Sequence, residues 1–197
     1  MPSNPVAPSD VNPALINWSG ALGLPEFDKI ADADFETAFA VAFPAHLAEI
    51  EAIANNPEPP TFENTVVALE IAGELLTRAS GIFWNLTGSN TNEARQALEK
   101  YEEALEDVRA ESSRHYSAIT MNGPLFARVD TLYQQRDSLG LDAEASRVLE
   151  LTWKSFVRAG AKLGDADQKK LAAISERLAT LGTTFSQNVL ADEAEYA

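Results

Sequence analysis

The chain has 197 residues, with 15 Lys+Arg against 30 Asp+Glu, two His, no Cys and a formal net charge of −15. So acidic a chain lacks the positive footprint that nucleic acid or an anionic membrane requires. The lack of Cys excludes disulfides, thiolate nucleophiles and Cys-ligated zinc, and the length suits about one domain with an extension.

Residues 1–33 form a Pro-, Asn- and Ser-rich stretch with Pro2, Pro5, Pro8, Pro13 and Pro25. Proline fixes φ and disfavours helix in the residue before it, so an extended N-terminal arm is expected. Trp18, Leu22, Leu24, Phe27 and Ile30 give it apolar weight with which to dock. The first basic residue is Lys29, so no positive leader precedes an apolar run. The longest apolar run, Ala38 to Phe43, covers six residues; a bilayer span needs about 20. No membrane partner and a cytoplasmic location are the expectations.

From Asp34 the period turns helical, with Phe35, Phe39, Phe43, Leu47, Ile50 and Ile53 on one stripe. Pro44 interrupts that stripe and should kink or split the helix near 40–44. Asn55 to Pro60 is a stop followed by a rigid linker. Thr61 reads as the N-cap of a long helix through about Thr87. Phe62, Val66, Leu69, Leu76 and Phe83 make one stripe of it; Val67, Ile71, Leu75, Ile82 and Leu86 make a second. Two apolar faces predict burial between neighbours, with Gly73 and Ser80 allowing a close approach.

Gly88-Ser89-Asn90 ends that helix, and Asn90 with Glu93 forms a capping box. Leu98, Tyr101, Leu105, Val108, His115 and Ile119 carry the next helix to about Thr120. Asn122-Gly123-Pro124 is a turn into a short helix over roughly 124–138. Gly140 stops it, and Asp142 caps a helix through about Lys162 with Val148, Leu149, Phe156 and Leu163 inward. Asp165 and Gln168 suggest a box opening the last helix. Along it Leu171, Ile174, Leu178, Leu181 and Phe185 repeat in steps of 3, 4, 3 and 4, a heptad-like seam. The fold class is all-α, about six antiparallel helices in a bundle or layer behind the arm.

Chemistry is sparse. Zinc hydrolysis on one helix needs H-E-x-x-H, two ligands one turn apart with a Glu base. His46 is followed by Leu47-Ala48-Glu49 and His115 by Tyr116-Ser117-Ala118, so neither fits. His46 with Glu49, and Glu111 with His115, read as local pairs on helix surfaces. Glu99, Glu102, Glu103, Glu106, Asp107 and Glu111 lack the Gly and alternating ligands of a calcium loop and read as a solvated face. No phosphate loop, nucleophile elbow or dinucleotide fingerprint is present. No residue is assigned as catalytic, metal-binding or substrate-binding.

Three stretches carry a resemblance. Leu24-Pro25-Glu26-Phe27-Asp28-Lys29-Ile30 with Phe35-Glu36-Thr37-Ala38-Phe39 is the first. Pro57-Glu58-Pro59-Pro60-Thr61-Phe62-Glu63-Asn64-Thr65 is the second. The third runs from Phe156-Val157-Arg158-Ala159-Gly160-Ala161 through Leu178-Ala179-Thr180-Leu181-Gly182-Thr183-Thr184-Phe185-Ser186-Gln187-Asn188. From about residue 13 the chain resembles the thimet-oligopeptidase-like zinc peptidases, on the side of the bacterial peptidyl-dipeptidases and oligopeptidase A.

The resemblance implies a helical ellipsoid around a deep channel, with zinc on H-E-x-x-H plus a later Glu in the C-terminal part of a much longer chain. It implies that residues 34–197 are a non-catalytic N-terminal helical domain walling that channel. The parent protein would then use zinc, take short peptides as substrates, release dipeptides from their C-termini, and hold this domain against its own C-terminal catalytic domain. No residue here matches the catalytic motif, so this chain alone should be inactive. The alternative is a free-standing helical binding or scaffold protein without peptidase activity.

Overall fold

The computed structural model describes residues 8–31, 33–87 and 111–195. Among them every regular element is helical and none is a strand, as the apolar periodicity predicts. Their contacts divide them into two compact units: residues 8–49 with 71–87, and residues 50–70 with 111–195.

The first unit begins with a 3₁₀ turn at Pro8–Asp10 and a four-residue helix α1, Pro13–Ile16. Asn12 caps α1 by accepting from Ala14 N–H at 2.9 Å, and its amide donates to Asp34 at 2.7 Å and to the Lys29 carbonyl at 2.8 Å. The stretch is therefore a chain of short turns rather than extended, with Asn12 bonded to both its ends. Its anchors differ from the expected ones. Val11, Ala14 and Leu15 are buried, whereas Leu22 is 98 % exposed and Trp18, Leu24 and Phe27 are exposed too. Leu22 also carries a positive φ of 62°, which turns the chain there.

Helix α2 runs Ala33–Ala54 without a break. Pro44 does not split it. Pro44 and Ala40 are both exposed, so the carbonyl that Pro44 cannot serve lies on the side open to water, where its loss is mild. Among the described residues α2 alone is long and apolar enough to cross a membrane by length and composition. Its large side chains are used inside the unit. Phe35 and Phe39 meet Phe83 edge-on at ring distances of 5.3 Å each, and Phe39 stacks on Phe43 at 5.7 Å.

The long helix expected from Thr61 is three pieces. Phe62–Val67 is a turn of π-helix, α3 covers Ala68–Ile71, and α4 covers Glu74–Thr87. The Thr61 cap is as read: its hydroxyl accepts from Asn64 N–H at 3.0 Å, and Asn64 returns the bond to Thr61 N–H at 2.8 Å. The break falls at Gly73, whose φ is +75°. A left-handed residue cannot continue a right-handed helix. The break also re-aims the stripes: Val66, Leu76, Ile82 and Phe83 are buried, but Val67, Ile71 and Leu86 are exposed. α4 packs against α1, and Arg78 on it donates to the Ile16 carbonyl and pairs with Glu74.

In the second unit α5 covers 111–120, α6 Gly123–Gln134, α7 Ala143–Arg158 and α8 Asp165–Glu195. Asn122 and Asp142 cap α6 and α7, accepting from Leu125 N–H at 3.0 Å and Ala145 N–H at 2.8 Å. Val66, Leu132 and Leu149 form one core cluster, with Phe62, Tyr133 and Val148 packed around them. α7 ends at Arg158 rather than Lys162, because Gly160 turns the chain with φ +99°, and Leu163 is exposed rather than inward.

Arg128 is 8 % exposed and stitches the 55–61 turn to α6. Its guanidinium donates to the carbonyls of Asn56 and Glu58 at 3.0 Å each, to Asn64 Oδ1 at 2.8 Å and to Thr65 Oγ1 at 3.3 Å. Asp165 is not a cap. The carbonyl of Gly164 accepts from Gln168 N–H at 3.0 Å, which makes Gly164 the capping residue and Asp165 the first helical one. The Gln168 side chain reaches the Gly160 carbonyl at 3.3 Å instead. The turn at 88–90, the box of Asn90 and Glu93, and Leu98, Tyr101, Leu105 and Val108 lie outside the described residues.

Candidate functional site

His46 and Glu49 stand one turn apart on α2, and both serve the break at Gly73. The Glu49 carboxylate accepts the Gly73 N–H at 2.6 Å. The His46 imidazole lies so close that a Cβ on Gly73 would sit 2.7–2.8 Å from its ring atoms. Burial holds the His46 imidazole below its ordinary pKa, with the Glu49 charge opposing. This is more than a surface pair: one residue of α2 packs on the break while the other bonds its backbone.

His115 is also not on a surface. It is 4 % exposed, with its ring edge-on to Tyr116 at 5.7 Å, while Glu111 is exposed. The other acidic candidates, Glu99, Glu102, Glu103, Glu106 and Asp107, lie outside the described residues. Among the described residues no three His, Asp or Glu side chains converge. His46 and His115 fall in different units. The described side chains therefore do not fit a catalytic zinc ion, which takes three protein ligands and leaves a position open.

What the second unit offers is surface. α5 and α8 flank an open groove of about 560 Å³ whose lining includes Ser117, Ala118, Lys169, Ala172 and Ala173. Arg114 and Glu176 bridge it at 3.2 Å. A second groove of about 480 Å³ lies among α3, α5 and α7, lined by Leu69, Ile119, Val148, Leu151 and Phe156. Along α8 the expected seam is present, but it is not turned inward. Leu171 is half-buried, and Ile174, Leu178, Leu181, Phe185 and Val189 are 56, 62, 47, 70 and 39 % exposed.

The chain is 42 % identical over 181 residues to the dipeptidyl carboxypeptidase of Escherichia coli strain K12, and 40 % identical over 180 residues to that of Salmonella typhimurium strain LT2. The sequence is related to the dipeptidyl carboxypeptidases. The matches take in 92 % and 91 % of this chain, so the resemblance is not confined to one motif. The chain spans about a quarter of those relatives, 26 % of each. No family-level sequence model matches it.

The period identifies the seam on α8 as a face but not what covers it. Sequence reasoning missed Arg128. The signal was available: Leu125, Arg128, Val129 and Leu132 share one buried stripe, and a cation in such a stripe must find acceptors.

Proposed function

We propose that this chain is the non-catalytic helical part of a zinc-dependent dipeptidyl carboxypeptidase, a wall of its substrate channel, acting in the cytoplasm. The observation that carries the reading is the 42 % identity across 92 % of the chain to a protein about four times its span. Zinc and its general base would then come from elsewhere in the parent protein, and no catalytic step is assigned to residues here. The parent's substrates would be short peptides, cut two residues from the C-terminus, and its catalytic domain would be this chain's partner.

The test uses the full reading frame that carries residues 1–197. It should encode H-E-x-x-H downstream, and its product should release dipeptides from peptide C-termini in a chelator-sensitive way, followed by mass spectrometry. A photoreactive, non-hydrolysable short peptide should cross-link within residues 1–197. Hydrolysis without such cross-links would remove the wall role. A frame with no downstream motif and no hydrolysis would leave a free-standing helical binding protein.

A further inference from the structure

We infer that the exposed line Ile174, Leu178, Leu181, Phe185 and Val189 on α8 is a docking seam for an amphipathic helix from the remainder of the parent peptidase. This rests on the functional reading above. The five residues step by 4, 3, 4 and 4 along one helix, a line about 22 Å long at 1.5 Å per residue. All five are exposed, Phe185 by 70 %. Exposed apolar side chains are ordinary singly, but a contiguous line of them marks an interaction site.

The start of the same stripe shows what its residues do when a neighbour is present. Leu171 packs on the turn after α7, where a Cβ on Gly160 would come within 2.7 Å of its side chain. Beyond that first turn the stripe is open. Where α8 borders the groove beside α5 its lining side chains are Lys169, Ala172, Ala173 and Glu176, and none of the five seam residues. A row at steps of three and four is met by a helix carrying a matching row.

The occupant follows from extent. Two copies pairing through this line would bring together five residues a side, against the roughly 20–30 a side of a stable interface. The relatives supply much more: this chain accounts for 26 % of their length. The remaining body is the partner large enough to cover the line and extend past it.

The chain has no cysteine, so Leu181→Cys introduces a single thiol within it. Its labelling rate with a small thiol reagent is read by mass spectrometry of the peptide containing residue 181. It is measured in the 197-residue chain and in the product of the full reading frame, with Ser186→Cys as an exposed reference off the line. Residue 181 should label within a few-fold of residue 186 in the short chain, and at least tenfold more slowly in the full product while residue 186 is unchanged.

Ile174→Cys repeats the measurement should Leu181→Cys impair folding. Equal rates in both proteins overturn the inference, as does a frame ending near residue 197. Slow labelling already in the short chain also overturns it, and slowing that grows with concentration would assign the line to a second copy. Peptide hydrolysis by the full product is scored separately. A protected seam in a protein that releases no dipeptide would sink the functional reading and leave the docking seam standing.

Discussion

Gly73 shows how one residue redirects a helix. Its φ of +75° is a region that other residues enter at a cost of about 1 kcal/mol or more. A methyl there would also drive into His46 at 2.7–2.8 Å, and overpacking of that kind costs about 1–3 kcal/mol. Gly73→Ala should therefore lower stability by roughly 2–4 kcal/mol, read from the denaturant midpoint. Gly140→Ala separates the two causes, because Gly140 has φ +66° and open space around it; it should show the backbone cost alone. Adding His46→Ala to Gly73→Ala should recover the steric part only. Full recovery would mean that the left-handed conformation costs nothing here.

His46 makes the same contact sensitive to pH. Its folded pKa lies below the ordinary value of 6.5 because burial disfavours the imidazolium. The unfolded chain therefore takes up the proton first as pH falls. The stability tied to neutral His46 is present above about pH 6.5 and is lost as pH drops through the folded value. Denaturation midpoints at a series of pH values from neutral to mildly acidic should show this loss, and His46→Gln should flatten it. A slope unchanged in the variant would assign the dependence to a group other than His46.

Helix ends divide into those the sequence displays and those it conceals. Thr61 and Asp142 were legible because a short polar residue before an apolar run has few other uses, whereas Asn122 reads in the sequence as part of a turn and only the structure shows it capping α6. Asp142→Ala should cost about 0.5–2 kcal/mol. Asp165→Ala should cost only the first-turn charge interaction, about 0.3–1 kcal/mol, since Gly164 holds the capping position. Equal midpoint losses for the two variants would contradict that assignment. The break at Gly73 was illegible because a lone Gly within a strong apolar stripe is usually tolerated by the helix. Nothing local signals that His46 arrives from α2.

The 55–61 turn is held by long-range bonds of the same kind. Arg128 gives it two carbonyl contacts, so Arg128→Met should leave those acceptors unmet and cost roughly 2–4 kcal/mol. Arg128→Lys should recover little, because an ammonium cannot fork to four acceptors at fixed positions. Near-complete rescue by Lys would show that charge, rather than geometry, holds the turn.

At the scale of the whole molecule the all-α class and the relationship to the peptidases were legible, since both rest on pattern spread over most of the chain. The candidate surface was half legible. The seam on α8 is visible as a period, but whether it closes on its own unit depends on contacts no window of sequence contains.

Charge is the other whole-chain property, and it has a direct consequence. Among residues 1–90 only Lys29 and Arg78 are basic, against twelve Asp and Glu. Both cations are already engaged, Lys29 with Glu26 at 2.7 Å and Arg78 with Glu74. Exposed pairs such as Lys29 with Glu26 contribute little, so self-repulsion dominates the electrostatics of a chain carrying −15. Salt shortens the Debye length from about 10 Å at 0.1 M to about 3 Å at 1 M and screens exposed repulsion first.

Raising sodium chloride from 0.02 to 0.5 M should therefore stabilise the chain by on the order of 1–2 kcal/mol, or about 2–8 °C in Tm. Sodium chloride is the right salt for the measurement, because sulfate would strengthen apolar burial as well. A Tm that falls with added salt would mean that the ion pairs along α7 and α8, Lys154 with Glu150 and Lys170 with Asp167 among them, outweigh the excess of like charge.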